Sequence, residues 1–194
     1  MSGIRVRFAP SPTGELHVGG LRTALFNYLF ARNQGGQFIL RIEDTDQARF
    51  VERAEQRLIE LLTWAGVLPD EGPHIGGPHA PYRQSERLAL YHAAVERLLA
   101  QGHAYRCYCT PDELELMRRE QMARGELAKY DGRHRNLTPP QRAALEAEGR
   151  PSVVRMRLPE REEQVAVDDL IRGRVLFSSA QLDDQVLLKS DGFP

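Results

Sequence analysis

The sequence predicts a mixed α/β fold, with a short parallel sheet in its first half and a smaller α+β unit after it. Three observations carry that prediction. Strand-like and helix-like segments alternate from Ile4 to Trp64 in the order β-α-β-α, which calls for parallel strands joined by right-handed crossovers. The first strand passes to the first helix through a turn rich in proline and glycine, Ala9 to Leu16. After a Gly/Pro/His-rich stretch, Pro69 to Pro81, the alternation stops, and short strands and charged helices follow in mixed order.

Taken in turn, Ile4 to Phe8 alternates arginine with apolar residues and reads as a strand. Two prolines and a glycine make Ala9 to Leu16 a rigid loop. A helix opens at His17 or Gly19, runs through Leu21, Leu25, Tyr28 and Leu29 to Asn33, and ends at Gly35-Gly36. Gln37 to Ile42 is the second strand. Glu52 to Trp64 has helical spacing at Ala54, Leu58, Leu61 and Leu62, with Gly66 closing it. Pro69 to Pro81 reads as a loop, Ser85 to Ala100 as an amphipathic helix and Ala104 to Cys109 as a strand. Thr110 is a suitable cap for a helix with Pro111 in its first turn and Asp112 and Glu113 at its positive end. Thr138-Pro139-Pro140 opens another. Val153 to Leu158, Val165 to Val167, Arg174 to Phe177 and Val186 to Leu188 are the remaining strands.

The chain has 194 residues, 41% hydrophobic and 27% charged, enough for one large domain or two small ones with a buried core. A net charge of −1 excludes a global field for nucleic acid or membrane, though a local patch can still bind RNA. Of the 26 basic residues only Lys129 and Lys189 are lysine. Base composition of the source genome is one reading of that bias and functional choice the other, since arginine offers a planar fork suited to carboxylate and phosphate. Cys107 and Cys109 are too close in sequence for an unstrained disulfide, which fits a reducing, cytoplasmic setting. No apolar run approaches the roughly 20 residues of a membrane span, and no targeting peptide is visible.

Two phrases carry the chemistry. Arg7-Phe8-Ala9-Pro10-Ser11-Pro12-Thr13-Gly14-Glu15-Leu16-His17-Val18-Gly19-Gly20 places polar groups where the first strand ends and a helix begins. The free N–H groups and positive dipole of such a helix make a phosphate site. Gly19 and Gly20 let a ligand approach the backbone, and His17 can donate to a phosphate oxygen. A strand–turn–helix with two glycines and a histidine is a weak signal alone, and a plain tight turn is its other reading. Leu40-Arg41-Ile42-Glu43-Asp44-Thr45-Asp46 ends the second strand. Arg7 can grip a carboxylate in two-point fashion, Ser11 adds a hydroxyl, and Glu43 can take an ammonium group. Asp44 and Asp46 read as caps and turn residues.

Together the two phrases resemble the N-terminal half of class I aminoacyl-tRNA synthetases of the glutamyl/glutaminyl branch, in their bacterial form. The similarity continues through Asp70-Glu71-Gly72-Pro73, Pro81-Tyr82-Arg83-Gln84-Ser85-Glu86-Arg87, Tyr130-Asp131-Gly132-Arg133 and Leu187-Leu188-Lys189-Ser190-Asp191-Gly192, nearly the whole chain. It implies the first half of a Rossmann-like catalytic domain over residues 1–82. It also implies a connective insertion that packs on the tRNA acceptor end over residues 83–194, running into the second half of the fold.

The resemblance implies a glutamate–tRNA ligase using ATP with Mg²⁺, glutamate and the acceptor end of tRNA(Glu), as a cytoplasmic monomer without a membrane. His17 and Gly20 would be the catalytic positions, and His17, Gly19 and Gly20 would line the nucleotide site. Arg7 would hold the substrate side-chain carboxylate, with Ser11 and Glu43 at its α-amino end. Arg118, Arg119, Arg124, Arg133 and Arg135, with Tyr130 among them, would meet RNA, or else form a solvated face balanced by Glu113, Glu115 and Glu120. Cys107-Tyr108-Cys109 is similar to a zinc pair of some members. His134 stands at the third ligand position and Asn136, a poor zinc ligand, near the fourth, with His103 as a substitute. The other reading is two small, partly buried thiols. The family's lysine-rich second nucleotide motif is not in these residues, so an N-terminal fragment is expected. Two alternatives stand beside the ligase: a shortened paralogue that joins glutamate to a modified tRNA base (a glutamyl-queuosine tRNA(Asp) synthetase), and a fragment that binds glutamate or tRNA without turnover. The run Val18 to Asn27 is closer to the ligase.

Overall fold

The computed structural model describes residues 3–46, 49 and 51–194. They form two compact units, Met1–Ala89 and Leu90–Pro194. The sequence suggests a division after Tyr82, but residues 83–87 are fastened to the first unit. The Gln84 N–H donates to Ile42 O at 2.9 Å, Arg83 pairs with Glu55 at 2.7 Å, and the Ser85 N–H and hydroxyl both donate to Asp44.

In the first unit β1 (Arg5–Phe8) lies parallel to β2 (Gln37–Leu40), joined by helix α1 (Val18–Asn33), and α2 (Ala54–Trp64) follows. β2 is the middle strand. Its far side is met by two parallel bridges, Ile39 with Glu71 and Ile42 with Arg83. The Leu40 N–H donates to Glu71 O and the Ile42 N–H to Tyr82 O, both at 2.9 Å. The stretch Pro69 to Pro81, expected as loop, therefore extends the sheet at Glu71, and Tyr82 and Arg83 directly after it do the same. Phe38, Leu40 and Ile42 are fully buried, and each contributes roughly 1.5–3 kcal/mol through burial of its side chain.

Helix α1 meets the sheet through Ala24 and Ala31, both fully buried, with the Tyr28 ring edge-on to Phe38 at 5.9 Å. The apolar residues Leu25, Phe26 and Leu29, by contrast, are exposed. Small residues let the helix backbone come close to the strands, so the buried face is the alanine face rather than the leucine one.

At the opposite end of the strands from the two sequence phrases, Glu71 is buried and accepts hydrogen bonds from the Arg5 guanidinium and the Tyr82 hydroxyl. The Arg5 hydrogen bonds hold the Glu71 carboxyl below its ordinary range in spite of burial. Gly77 closes over this group with φ of +146°, and a Cβ there would overlap the Tyr82 hydroxyl and lie 2.9 Å from Glu71 Cγ.

In the second unit, α3 (Leu88–Ala100) leads to a three-stranded antiparallel sheet in the order β3 (Ala104–Cys107), β4 (Val153–Met156), β7 (Val186–Leu188). Helices α4 (Pro111–Ala123) and α5 (Pro139–Ala147) start as the sequence predicts. Thr110 and Thr138 each accept from the backbone three residues on, the Glu113 and Gln141 side chains answer, and proline fills the first turn. A separate hairpin pairs β5 (Gln164–Asp169) with β6 (Gly173–Ser178).

Under the three-stranded sheet lies a polar knot centred on buried Asp184. Its carboxylate accepts from the Tyr105 hydroxyl at 2.5 Å, Arg135 Nη2 at 3.1 Å and the Leu158 N–H at 3.0 Å. Its carbonyl accepts from Arg155 at 2.8 Å, and that guanidinium lies 3.9 Å over the Tyr130 ring. No described helix is long and apolar enough to cross a membrane.

Gly77→Ala is expected to lower stability by about 1–3 kcal/mol, since it forces overlap with the buried Tyr82 and Glu71 side chains. Gly14→Ala, where a Cβ meets nothing within 4 Å, should stay within about 0.5 kcal/mol of the parent. Urea unfolding midpoints check this, and equal midpoints would refute the strain at Gly77.

Candidate ligand site at the strand ends

The ladder between β1 and β2 continues past both strands. The Arg41 N–H donates to Phe8 O at 3.0 Å, the Glu43 N–H to Pro10 O at 2.9 Å and the Val51 N–H to Pro12 O at 3.1 Å. The loop from Ala9 to Leu16 has no regular structure of its own, so its shape comes from these bonds and from its prolines. An ion pair between Glu15 and Arg57 adds a tie from the loop to α2.

The same ladder sets Arg7 beside Glu43. Their guanidinium and carboxylate pair at 3.6 Å, with side chains half and one-third exposed (50% and 34%), so both are open to solvent and to a ligand. A cavity of about 440 Å³ lies next to the loop. Ser11, His17 and Gly20 line it with Phe8, Ala54 and Leu58, while Arg7, Gly19 and Glu43 are not in its lining.

His17 caps α1. Its Nδ1 accepts the Gly19 N–H at 3.1 Å, so the neutral ring carries its proton on Nε2. That leaves one N–H to donate at a helix N-terminus, where the remaining backbone donors and the dipole favour an anion. A Cβ at Gly19 would lie 2.9 Å from His17 Cε1, and one at Gly20 2.6 Å from Leu16 Cδ1. Both glycines keep this corner open. Asp44 and Asp46 serve as turn residues: Asp44 holds Ser85 and Asp46 pairs with Arg49.

In the second unit Cys107, Cys109 and His134 bring their donor atoms within 4.8 Å of one another. His134 Nδ1 accepts the Tyr108 N–H at 3.1 Å and lies 3.4 Å from Cys109 Sγ. Tyr130 Oη lies 3.3 Å from Cys107 Sγ and accepts the His134 N–H at 3.1 Å. The Cys109 hydrogen bond draws the Cys107 thiol down, and the same partnership pushes Cys109 up. Burial raises Tyr130, which keeps its phenol protonated. Asn136 Oδ1 accepts a hydrogen bond from Arg157 Nη1 at 2.9 Å. Among the described residues no fourth Cys, His, Asp or Glu joins the three. Structural zinc wants four donors. Here the histidine lone pair is spent on a backbone N–H and the fourth position on an arginine, so this set does not fit zinc.

Tyr130 is buried under Arg155, which removes it from the surface where the sequence suggested it would meet bases. Of the five arginines grouped with it, Arg119, Arg124 and Arg133 pair with Glu115, Glu126 and Asp131, and Arg135 with Asp184. Of these, only the Arg119–Glu115 pair is the solvated helix-face balance expected; Arg124 and Arg133 pair with other acids, and Arg135 turns inward to buried Asp184. Asp184 and Arg155 were missed, because an acid in an Asp-Asp pair and an arginine in a short strand carry no sequence mark of burial.

The model of the family described as tRNA synthetases class I (E and Q), catalytic domain, matches residues 3–194. The chain belongs to this family. A glutamate–tRNA ligase of Heliobacterium modesticaldum is 54% identical over 194 residues, all of this chain and 39% of that protein. The crystal structure of a glutamate-tRNA synthetase from Elizabethkingia anophelis matches with a TM-score of 0.90 and 46% identity over 99% of this chain and 40% of that one. A glutamate tRNA ligase from Elizabethkingia meningosepticum, solved in complex with its amino acid, matches with a TM-score of 0.88 at 46% identity, over 99% of this chain and 39% of that one. The chain thus spans about two-fifths of the length of these relatives, and its parallel sheet is that of the family's catalytic domain.

His17→Ala should lower the stability of the first unit by about 1 kcal/mol through loss of the cap, while His17→Asn, which can still cap, should keep it. Thermal melting distinguishes them, and an undiminished melting temperature for the alanine variant would remove the capping role. Dialysis against EDTA should leave the melting temperature of the purified chain unchanged. Stoichiometric zinc by elemental analysis, lost together with stability, would contradict the donor count.

Proposed function

We propose that this chain is the glutamate-activating region of a glutamate–tRNA ligase. One observation carries the reading. Arg7 and Glu43, an opposite-charge pair at 3.6 Å on adjacent strand ends, are partly exposed beside a helix N-terminus and a 440 Å³ cavity. A zwitterion with a second carboxylate is the ligand that can part them. Its side-chain carboxylate goes to Arg7 and its ammonium to Glu43 with Ser11, so two ion pairs replace one. The α-carboxylate then faces the nucleotide, whose phosphates find His17 Nε2 and the backbone amides near Gly19 and Gly20.

The reaction is attack of that carboxylate on the α-phosphate of ATP, giving glutamyl-adenylate and pyrophosphate. A ribose hydroxyl at the tRNA 3′ end then takes the glutamyl group and releases AMP. Such chemistry depends on positioning and on stabilising charge at the phosphorus. Mg²⁺ would accompany ATP, held largely by phosphate oxygens and water, and would offset triphosphate charge. Residues 1–82 would supply this site and residues 83–194 the surface for the acceptor end. The relatives' shared name and the level of identity favour the ligase over the shorter paralogue. Two free cysteines agree with a cytoplasmic setting.

Glutamate titration of the chain by calorimetry tests the reading. Arg7→Ala is expected to weaken glutamate binding roughly 10- to 100-fold, the loss of a charge-assisted contact of about 1.5–3 kcal/mol. Glu43→Gln should weaken it comparably and leave ATP binding unchanged. Near-parental glutamate affinity in Arg7→Ala, or parallel loss of ATP binding in Glu43→Gln, would overturn these roles.

A further inference from the structure

Glu43 lies beyond the end of β2, so the strand does not fix it. Its place is set by its own backbone and by both of its chain neighbours. The Glu43 N–H donates to Pro10 O at 2.9 Å. Before it, the Ile42 N–H donates to Tyr82 O and the Gln84 N–H to Ile42 O, both at 2.9 Å. After it, the Asp44 carboxylate accepts the Ser85 N–H at 2.8 Å and the Ser85 hydroxyl at 2.5 Å. Ser85 opens a short 3₁₀ turn, Ser85–Arg87, and a first-turn N–H has no acceptor within its own helix. Residues 82–85, which grip Glu43 from both sides, are anchored in turn. Tyr82 is buried and its hydroxyl donates to Glu71. Arg83 makes a two-point pair with Glu55 of α2, at 2.9 and 2.7 Å. Arg87 Nη1 donates to His79 O at 3.0 Å and to Pro81 O at 2.9 Å.

We propose that Asp44 and Ser85 are positioning residues for amino acid binding. Their paired hydrogen bonds lock the chain just after Glu43 and hold its carboxylate where the ammonium of glutamate arrives. They act through Glu43 rather than by contact with the ligand. The Arg7 pair cannot do this alone, since 3.6 Å between partly exposed groups is too long for a directional hydrogen bond. An ammonium that had to order its own acceptor would lose part of the contact energy to that ordering. An acceptor fixed beforehand avoids the loss, and fixing it takes a supporting layer of bonds behind the ligand contact. Two successive acids thus take different tasks: Asp44 turns to the scaffold, and Glu43 stays open beside Arg7. The inference rests on the reading that Glu43 receives the ammonium.

The test compares glutamate with glutarate, which lacks only the amino group, by calorimetric titration of the full chain and by displacement of glutamate. Ser85→Ala changes no charge. It is expected to weaken glutamate binding about 3- to 10-fold, part of the 10- to 100-fold that a charge-assisted contact supplies, and to leave glutarate within about 2-fold. Ser85→Thr keeps both donors and should restore the parental ratio of the two affinities. Asp44→Ala should lose at least as much for glutamate as Ser85→Ala, and adding Ser85→Ala to it should cost nothing further, because both act through one interaction. Equal weakening of glutamate and glutarate in Ser85→Ala, with a lowered melting temperature, would make the bond merely structural and overturn the proposal. Loss in Asp44→Ala with parental affinity in Ser85→Ala would place Asp44 itself on the ammonium and overturn it as well. A parent chain that binds glutamate no more tightly than glutarate would overturn the role of Glu43, and the positioning role with it.

Discussion

The first unit depends on one hydrogen-bond ladder, the parallel pairing of residues 4–12 with residues 37–43 and Val51 by way of β1 and β2. Within the strands it buries Phe38, Leu40 and Ile42. Beyond them it continues to Pro10 and Pro12, and there it shapes the candidate ligand site. Side chains from consecutive parallel strands reach the same end of the sheet, where open α/β folds bind ligands. The register puts Arg7 level with Ile39 and carries the chain four residues on to Glu43. A slip by one residue would turn Arg7 to the other face and leave Glu43 alone. Prolines at 10 and 12 cannot donate to the ladder but accept from it, so the loop is held without being made a strand.

The opposite end of the strands is held differently. Buried Glu71 and Tyr82 form a hydrogen-bonded group with the Arg5 guanidinium at its solvent edge, and Asp70 beside it ties Arg32 and the Phe38 N–H. Breaking such a group exposes a buried charge, which is expensive, whereas the intact group adds little net stability over an apolar core. Its effect is to define where residues 70–72 and 82–84 cross β2. The two ends of the sheet thus divide the labour, rigid charge at one and accessible charge at the other.

Local signals in the sequence were readable where one residue type has one physical use. Thr110 and Thr138 with a following proline mark helix starts, and both capping boxes form. The β-α-β-α order and the strand-end position of Arg7, His17 and Glu43 followed from alternation and turn chemistry. What could not be read depends on partners distant in sequence. The buried face of α1 is set by how closely alanines let it approach the sheet. Tyr130 sits in a basic stretch yet is buried, because Cys107 and Arg155 converge on it from β3 and β4, and the chain turns back at His134 to meet its hydroxyl.

The Arg7–Glu43 pair also bears on selectivity. A resting site that satisfies its own charges presents a threshold to every entrant. A guest with two carboxylates and an ammonium returns a partner to each member. Glutamine, identical in shape but with an amide for the side-chain carboxylate, releases Glu43 to its ammonium and offers Arg7 only a neutral oxygen. On the proposed reading, the pair would act as an internal competitor that an isosteric amide displaces at a loss, so that discrimination between the two amino acids would be built into the site before either arrives.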